Sequence, residues 1–236
     1  MIRPILRKIV PEPLKELYHE RERRKHYESF RKTPGNTYRR FDETKSIFIH
    51  IPKAGGISII KSLYGEKAGG IGHRSWEHFK WLYGEENFND YFKFTFVRNP
   101  FDRLLSAYSF LKKGGMNHMD REFGETVLSP YDTFEKFVNE WINEENVDSW
   151  VHFIPQYKYL YNESGDLMVD FIGYFENFNE DYEKIRQRIG TGEKLKHLNK
   201  TPDKKEKSYR EAYTPQMIEK VTEVYKQDLE LFKYSF

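Results

Sequence analysis

The sequence predicts an α/β domain, a parallel sheet buried on both faces with helices packed against it. Three observations carry this expectation. Ile47-Phe48-Ile49-His50-Ile51 and Lys93-Phe94-Thr95-Phe96-Val97 are short, mainly apolar runs without the strict alternation of a half-exposed strand. Each is followed by a turn bearing Gly or Pro and then by a helical pattern. A third run, residues 168–174, again precedes a helical segment, so strands and helices alternate along a chain whose 236 residues suit one main domain.

Each element has its own signal. Residues 14–31, rich in Glu, Arg and Lys, read as an exposed helix, entered after Pro11 and Pro13 and ended by Pro34-Gly35. The strand 47–51 closes at Pro52, and Gly55-Gly56 opens a helix over 57–64. The strand 93–97 runs into Arg98-Asn99-Pro100 and a helix over 101–111, with Asn99 as N-cap and Pro100 at the favoured first position. Further helices are expected at 133–143, 178–189 and 215–233. In the last, Ile218, Val221, Tyr225, Leu229 and Phe232 form one apolar face. The Lys-rich residues 200–207 read as a loop, and no internal repeat or low-complexity tract interrupts the pattern.

Composition narrows the function classes. Hydrophobic residues make up only 38% of the chain and charged ones 32%, yet 19 Phe, 17 Tyr and 4 Trp supply enough apolar bulk to argue against disorder. The absence of cysteine excludes a disulfide scaffold, Cys-ligated zinc, iron–sulfur ligation and thiol catalysis, and it fits a reducing compartment. No apolar run approaches the roughly 20 residues of a spanning helix, and the charged N-terminal stretch does not read as a secretory signal. The expected location is therefore cytoplasmic. Residues 1–40 hold 12 Lys+Arg and 5 Asp+Glu, leaving 27 and 32 in residues 41–236, so a basic arm of +7 precedes a body of −5. That division suggests a helical arm at 1–40 and a single domain at 41–236. The arm is either a solvated helix docked on the surface or a segment that meets an anionic polymer or the inner face of a membrane. The body has no basic stripe with interleaved aromatics, so nucleic acid is not the expected partner.

Two strand-to-helix turns carry the chemistry. In Ile51-Pro52-Lys53-Ala54-Gly55-Gly56-Ile57-Ser58 a strand ends in a Gly-rich turn that opens a helix. Backbone N–H groups, the helix dipole and Lys53 would then converge on one anion. The order differs from a Walker A loop, because Lys53 precedes the glycines. In the second turn, Arg98 leaves the end of a buried strand, where open α/β sheets place their ligands, and Ser106 lies on the following helix with Asp102 and Arg103. An arginine there can fork onto a phosphate or pair with a protein carboxylate. Two such turns together suggest a doubly phosphorylated ligand.

From residue 45 to the C-terminus the chain resembles the carbohydrate sulfotransferases of the Golgi type and their bacterial relatives, the group that includes heparan sulfate 2-O-sulfotransferases and chondroitin sulfotransferases. The specific matches are His50-Ile-Pro-Lys-Ala-Gly-Gly-Ile-Ser58 and Phe96-Val-Arg-Asn-Pro-Phe-Asp-Arg-Leu-Leu-Ser-Ala-Tyr108. His152-Phe-Ile-Pro-Gln156, residues 169–176, Leu198-Asn-Lys-Thr201 and residues 225–232 follow in the family's order and are supportive. The resemblance implies a three-layer, P-loop-like fold that takes 3′-phosphoadenosine 5′-phosphosulfate as sulfuryl donor, releases adenosine 3′,5′-bisphosphate, and sulfates a carbohydrate hydroxyl. It assigns the 5′-phosphosulfate to the loop Lys53, Ala54, Gly55, Gly56, Ile57 and Ser58, and the 3′-phosphate to Arg98 and Ser106. Many relatives carry hydroxyls at the positions of Ala54 and Ile57, so here the donor contacts fall to Lys53, Ser58 and backbone amides. Asn199, Lys200 and Thr201 are expected to close over the nucleotide or to form a plain polar loop. The arm at 1–40 stands where Golgi relatives carry a membrane anchor.

Sulfuryl transfer needs an in-line arrangement, a base for the incoming hydroxyl and positive charge at the leaving phosphate. Lys53 and amide dipoles can supply that charge, so no metal is expected, and no zinc-type motif occurs. A family Gly-His element implies His73, in Gly69-Gly-Ile-Gly-His-Arg-Ser-Trp76, as catalytic base beside Lys53. His152 is the second candidate, as a substrate or structural contact, whereas His50 reads as a core histidine. Glu77 could orient His73 or sit exposed at a helix start. Arg74 and Arg103 could meet acidic sugars or protein carboxylates, and Trp76, Trp81, Tyr83, Trp141 and Trp150 could stack on sugars or fill the core. The competing functions are a nucleotide-dependent kinase on a related fold and an inactive module that binds anions or polysaccharides.

Overall fold

A computed structural model describes residues 12–196 and 208–236. The three strands β1 (Ser46–Ile49), β2 (Phe92–Val97) and β3 (Phe171–Tyr174) form a parallel sheet in the order β1-β2-β3, with helices packed around it, as the sequence predicts. Ser46 pairs with Phe92 and Ile49 with Thr95; on the other side of β2, Phe94 pairs with Phe171 and Val97 with Tyr174. All of β1 is buried, as is β2 beyond Phe92. This is the reason neither strand alternates in polarity. Because the strands are parallel, the turns that leave β1 and β2 emerge at one edge of the sheet. That shared edge positions the site.

The third strand is shorter than the run 168–174 suggests. Met168 N–H donates to the Leu160 carbonyl at 2.8 Å, and Asp170 receives the Lys93 N–H at 2.7 Å and the Lys93 ammonium at 3.0 Å. The carboxylate of Asp170 thereby occupies the place of a ladder partner, and it neutralises the one lysine inside β2. The expected N-terminal helix is α1 (Glu12–Lys32), followed by α2 (Thr37–Thr44), which the sequence pattern did not reveal. Asn36 caps α2 through its side chain, and Thr37, Tyr38 and Phe41 are buried. The change of charge at residue 40 thus falls inside a helix that helps to form the core. Tyr27 and Phe30 of α1 pack against the same cluster, while Leu14, Leu17 and Tyr18 remain exposed. Arg31 fixes the end of α1 with two hydrogen bonds to the Asp42 carboxylate, at 2.8 and 2.9 Å.

Helix α3 (Gly56–Tyr64) follows the first turn, and α4 (Trp76–Tyr83) and α5 (Glu85–Asp90) return the chain to β2. Helix α6 (Pro100–Lys112) begins as predicted, with the Asn99 side chain accepting the Phe101 N–H. Helix α7 (His118–Thr126) comes next; α8 (Phe134–Lys136) then widens into a π-helical turn over Phe137–Trp141, and α9 (Glu144–Asp148) completes the excursion. Helix α10 (Phe178–Ile189) packs beside β3. The expected helix over 215–233 is interrupted, giving α11 (Pro215–Val224) and α12 (Lys226–Phe232). The break is at Tyr225, whose buried hydroxyl donates to the Phe153 carbonyl at 2.7 Å.

The buried apolar residues form two clusters. One surrounds the sheet, and the other joins α6, α7, the π-turn, α11 and Tyr225 through Phe101, Leu104, Phe137, Trp141, Phe153 and Met217. Among the described residues no helix is long and apolar enough to cross a membrane.

Candidate functional site

The first turn has the backbone form that the sequence suggests. Lys53 and Gly55 both adopt positive φ, +66° and +82°, and Gly55 caps α3 without a side chain. The first helical bond runs from Ile59 N–H to the Gly55 carbonyl, which leaves the N–H groups of Gly56 and Ile57 outside the α3 ladder. Ala54 is buried and Ile57 half-buried. Gly56 is dictated by a close approach: a Cβ there would lie 2.0 Å from the His50 ring. The turn is thus a cradle of backbone donors with an imidazole packed beneath it, the form that receives a phosphate or sulfate.

Lys53 and Arg98 meet at this cradle. The Arg98 Nη1 donates to the Lys53 carbonyl at 3.0 Å, and its Nε donates to Asp102 at 2.7 Å. The carboxylate pairing foreseen as the plain alternative therefore exists, but it uses one edge of the guanidinium. The planar group lies over the Phe175 ring at 4.3 Å, and Nη2 has no hydrogen-bond acceptor among the described residues. Ser106, half-buried, lies one helical turn beyond Asp102 on α6, and Phe110 one turn further. The Lys53 ammonium sits 4.0 Å over the Phe110 ring and has no ion pair among the described residues. Burial, reinforced by the neighbouring Arg98 charge, pulls its pKa down to about 8. A cation left without a counterion in a half-buried site is well placed for an anionic ligand.

Three histidines line up beside Lys53. The His73 ring is 4.4 Å from that of His50 and 5.5 Å from that of His152. His73 Nδ1 lies 3.1 Å from the His50 carbonyl, and because a carbonyl only accepts, Nδ1 carries the proton. The lone pair is then on Nε2. Burial lowers the His73 pKa to about 4, so the imidazole is neutral at pH 7. Burial and the His73 charge lower His152 to about 3, and the same causes place His50 well below its ordinary value. Asp120, buried at the start of α7, has its carboxylate 3.7 Å from His152 Nδ1. Nothing in the sequence pattern marked Asp120 or Phe110, since both reach the site only by the packing of α6 and α7.

His73 lines a cleft of about 550 Å³ together with Arg74, Glu77, His78, Asp148, Lys158 and Tyr159 among others. Arg74 is exposed and donates to the Tyr27 hydroxyl at 3.0 Å, so α1 supplies part of the rim. Glu77 is exposed and accepts from Ser75. Lys158 and Asp148 form an ion pair at the opposite wall. Arg103 does not belong with these groups. It is 1% exposed, and its guanidinium donates to the carbonyls of His152, Phe153 and Ile154, with the shortest bond at 2.7 Å. The acidic-sugar role considered for it therefore fails, because the group is buried and both terminal nitrogens are spent on backbone. Tyr83 and Trp141 are buried, and Trp76, Trp81 and Trp150 pack against the two clusters, so these rings are core. Asn199, Lys200 and Thr201 lie outside the described residues.

A family model described as the sulfotransferase family matches residues 36–235. An uncharacterized protein of Archaeoglobus fulgidus is 33% identical over 114 residues, covering 48% of this chain and 78% of its own. Carbohydrate sulfotransferase 14 of Danio rerio is 31% identical over 114 residues, 42% of this chain and 30% of its own. Carbohydrate sulfotransferase 9 of Homo sapiens is 25% identical over 187 residues, 67% of this chain and 42% of its own. The matches to these two carbohydrate sulfotransferases thus span less than half of their length. No solved structure matches the chain.

Proposed function

Because this chain belongs to the sulfotransferase family, we propose that it transfers a sulfuryl group from 3′-phosphoadenosine 5′-phosphosulfate to a hydroxyl of a carbohydrate acceptor. One observation carries the reading: His73, neutral and with its Nδ1 proton held on the His50 carbonyl, packs on the His50 ring that underlies Gly56 of the cradle and itself lines a cleft. The donor supplies an activated sulfuryl group. Lys53 Nζ and the N–H groups of Gly55 and Gly56 hold the 5′ end and stabilise the negative charge that grows on the departing phosphate. Arg98 Nη2 and Ser106 hold the 3′-phosphate. Ala54 and Ile57 contribute backbone only, and Ser58 closes the loop. His73 Nε2 takes the proton of the acceptor hydroxyl as its oxygen bonds to sulfur. This route uses no metal, since Lys53 and the amide dipoles provide the positive charge.

The carbohydrate acceptor is supported by the similarity to carbohydrate sulfotransferases 14 and 9 and by the size and mixed polarity of the cleft, which His73 and Arg74 line. On this reading the chain works in the cytoplasm, and the basic residues 1–40 rest against an anionic surface. The decisive experiment is transfer of radiolabelled sulfate from the donor across a panel of glycans, with and without EDTA. Labelled glycan formed in both conditions is the expected result. Nucleotide binding with no transfer to any glycan would favour an inactive binding module, and absence of sulfate transfer together with EDTA-sensitive transfer of labelled phosphate from ATP would favour a kinase-like enzyme.

A further inference from the structure

The backbone of Arg98 is held in an unusual way. The β2–β3 ladder ends at Val97 and Tyr174, and β1 pairs only as far as Thr95, so Arg98 lies beyond both neighbouring strands. A half-buried residue at that place still needs partners for its N–H and C=O. Both come from one side chain. Gln156 Oε1 accepts the Arg98 N–H at 2.9 Å, and Gln156 Nε2 donates to the Arg98 carbonyl at 2.9 Å. A single carboxamide thus imitates an additional strand. Two bonds to one residue fix the orientation of its peptide planes, and with them the direction in which the Arg98 side chain departs.

The carboxamide is itself locked from behind. Gln156 and Asp228 are both 0% exposed. Asp228 Oδ2 accepts the Gln156 N–H at 2.8 Å and its Nε2 at 3.3 Å, while Oδ1 accepts the Tyr157 N–H at 2.9 Å. The next peptide is anchored in the same manner. Asn99 N–H donates to Glu176 at 2.8 Å, the other oxygen of Glu176 accepts from the Tyr234 hydroxyl, and Asn99 Nδ2 donates to the Ser235 carbonyl. Segments far apart in sequence therefore converge on two successive peptides at the end of β2. Burying a carboxylate and a carboxamide merely to fill space would be costly, since apolar side chains fill core volume better.

We infer that Gln156, locked by the buried Asp228, is a positioning residue that aims Arg98 at the 3′-phosphate of the nucleotide. The inference rests on the proposed function, in which Arg98 holds that phosphate. It makes Gln156 a determinant of nucleotide selectivity although its side chain bonds only to protein. Small errors in the placement of a charged fork cost binding steeply.

The test compares adenosine 3′,5′-bisphosphate with adenosine 5′-monophosphate by titration calorimetry on wild type, Arg98→Ala, Gln156→Asn and Asp228→Asn. Gln156→Asn keeps the carboxamide but withdraws it by one methylene, out of reach of Arg98. Wild type should prefer the bisphosphate by tenfold or more, and Arg98→Ala should lose that preference. Gln156→Asn should lose most of the preference while binding the monophosphate within about twofold of wild type. A Gln156→Asn protein that keeps the wild-type preference, or weakens both nucleotides equally, overturns the inference and leaves the Arg98 assignment standing. A wild type without preference, or an Arg98→Ala protein that keeps it, overturns the assignment and the inference together. If Gln156→Asn does not fold, Asp228→Asn is read by the same ratio with the same consequences.

Discussion

His73 illustrates how much of an imidazole's chemistry is set by its neighbours. The His50 carbonyl leaves Nε2 as the basic atom, and burial keeps the ring neutral to about pH 4. His73→Ala should therefore retain binding of adenosine 3′,5′-bisphosphate while sulfate transfer falls by roughly 10²-fold or more; a mutant with wild-type turnover would move the base elsewhere. The pH profile of kcat/KM carries a second expectation, because it reports the free enzyme. His73 must be unprotonated to act and Lys53 protonated, so activity should rise through about pH 4 and fall through about pH 8. An acidic limb near 6.5, the ordinary histidine value, would show that the working base is a solvated group. The residues that carry the cradle were legible from the chain because they are contiguous: Lys53 to Ser58 in one turn, Arg98 to Ser106 in the other. Asp120 and Gln156 were not legible as neighbours of these turns, since each is brought there from a different element.

At the scale of elements, the strands and the two helices that follow them were readable because their signals are local. An apolar run, a capping Asn99 and Pro100 suffice to announce β2 and α6. The C-terminal helix shows the limit of such reading. Its apolar face continues at helical spacing through Tyr225, yet the helix breaks there into α11 and α12. What the spacing omits is the pull of a buried hydroxyl toward the Phe153 carbonyl, whose other donor is Arg103. The break also lets α12 begin where Asp228 can receive Gln156 and Tyr157. Tyr225→Phe removes one buried hydrogen bond and should cost about 1 kcal/mol, or up to about 3 if the Phe153 carbonyl is left poorly satisfied. Urea denaturation with an unchanged m-value would measure it, and a neutral substitution would show that packing alone sets the break.

Across the whole molecule, the histidine cluster links the site to stability. His50, His73, His78 and His152 all have folded pKa values below the ordinary 6.5, in each case mainly through burial. Between about pH 4 and 6.5 the unfolded chain binds more protons than the folded one, so stability rises with pH across that window. It should be fully present above pH 6.5 and should decline as the pH falls toward 4. A calorimetric Tm series from pH 8 to 4 checks this, and a Tm that is flat over that range would show that the rings are not buried neutral. The charge division between residues 1–40 and the rest belongs to this scale too. It is real in the sequence, yet it does not coincide with a break in packing, because α2 crosses it and Phe41 is 0% exposed. Charge is a surface property and needs no partner, whereas the core is defined by which apolar faces meet.

The sequence by itself determined the α/β class, the parallel sheet and the two turns at its edge, because buried strands, glycines at tight turns and helix caps are demands of the local backbone. It also determined the sulfotransferase resemblance, which is written in those same turns. The tertiary structure alone decided which side chains the turns face. It sent Arg103 into the backbone of residues 152–154, left Lys53 over Phe110 with no counterion among the described residues, and set His73 between His50 and His152. Those outcomes depend on how α6 and α7 lie against the sheet edge. Pairing across such distances is decided by which buried donor finds which acceptor, and that has no local spelling in the chain.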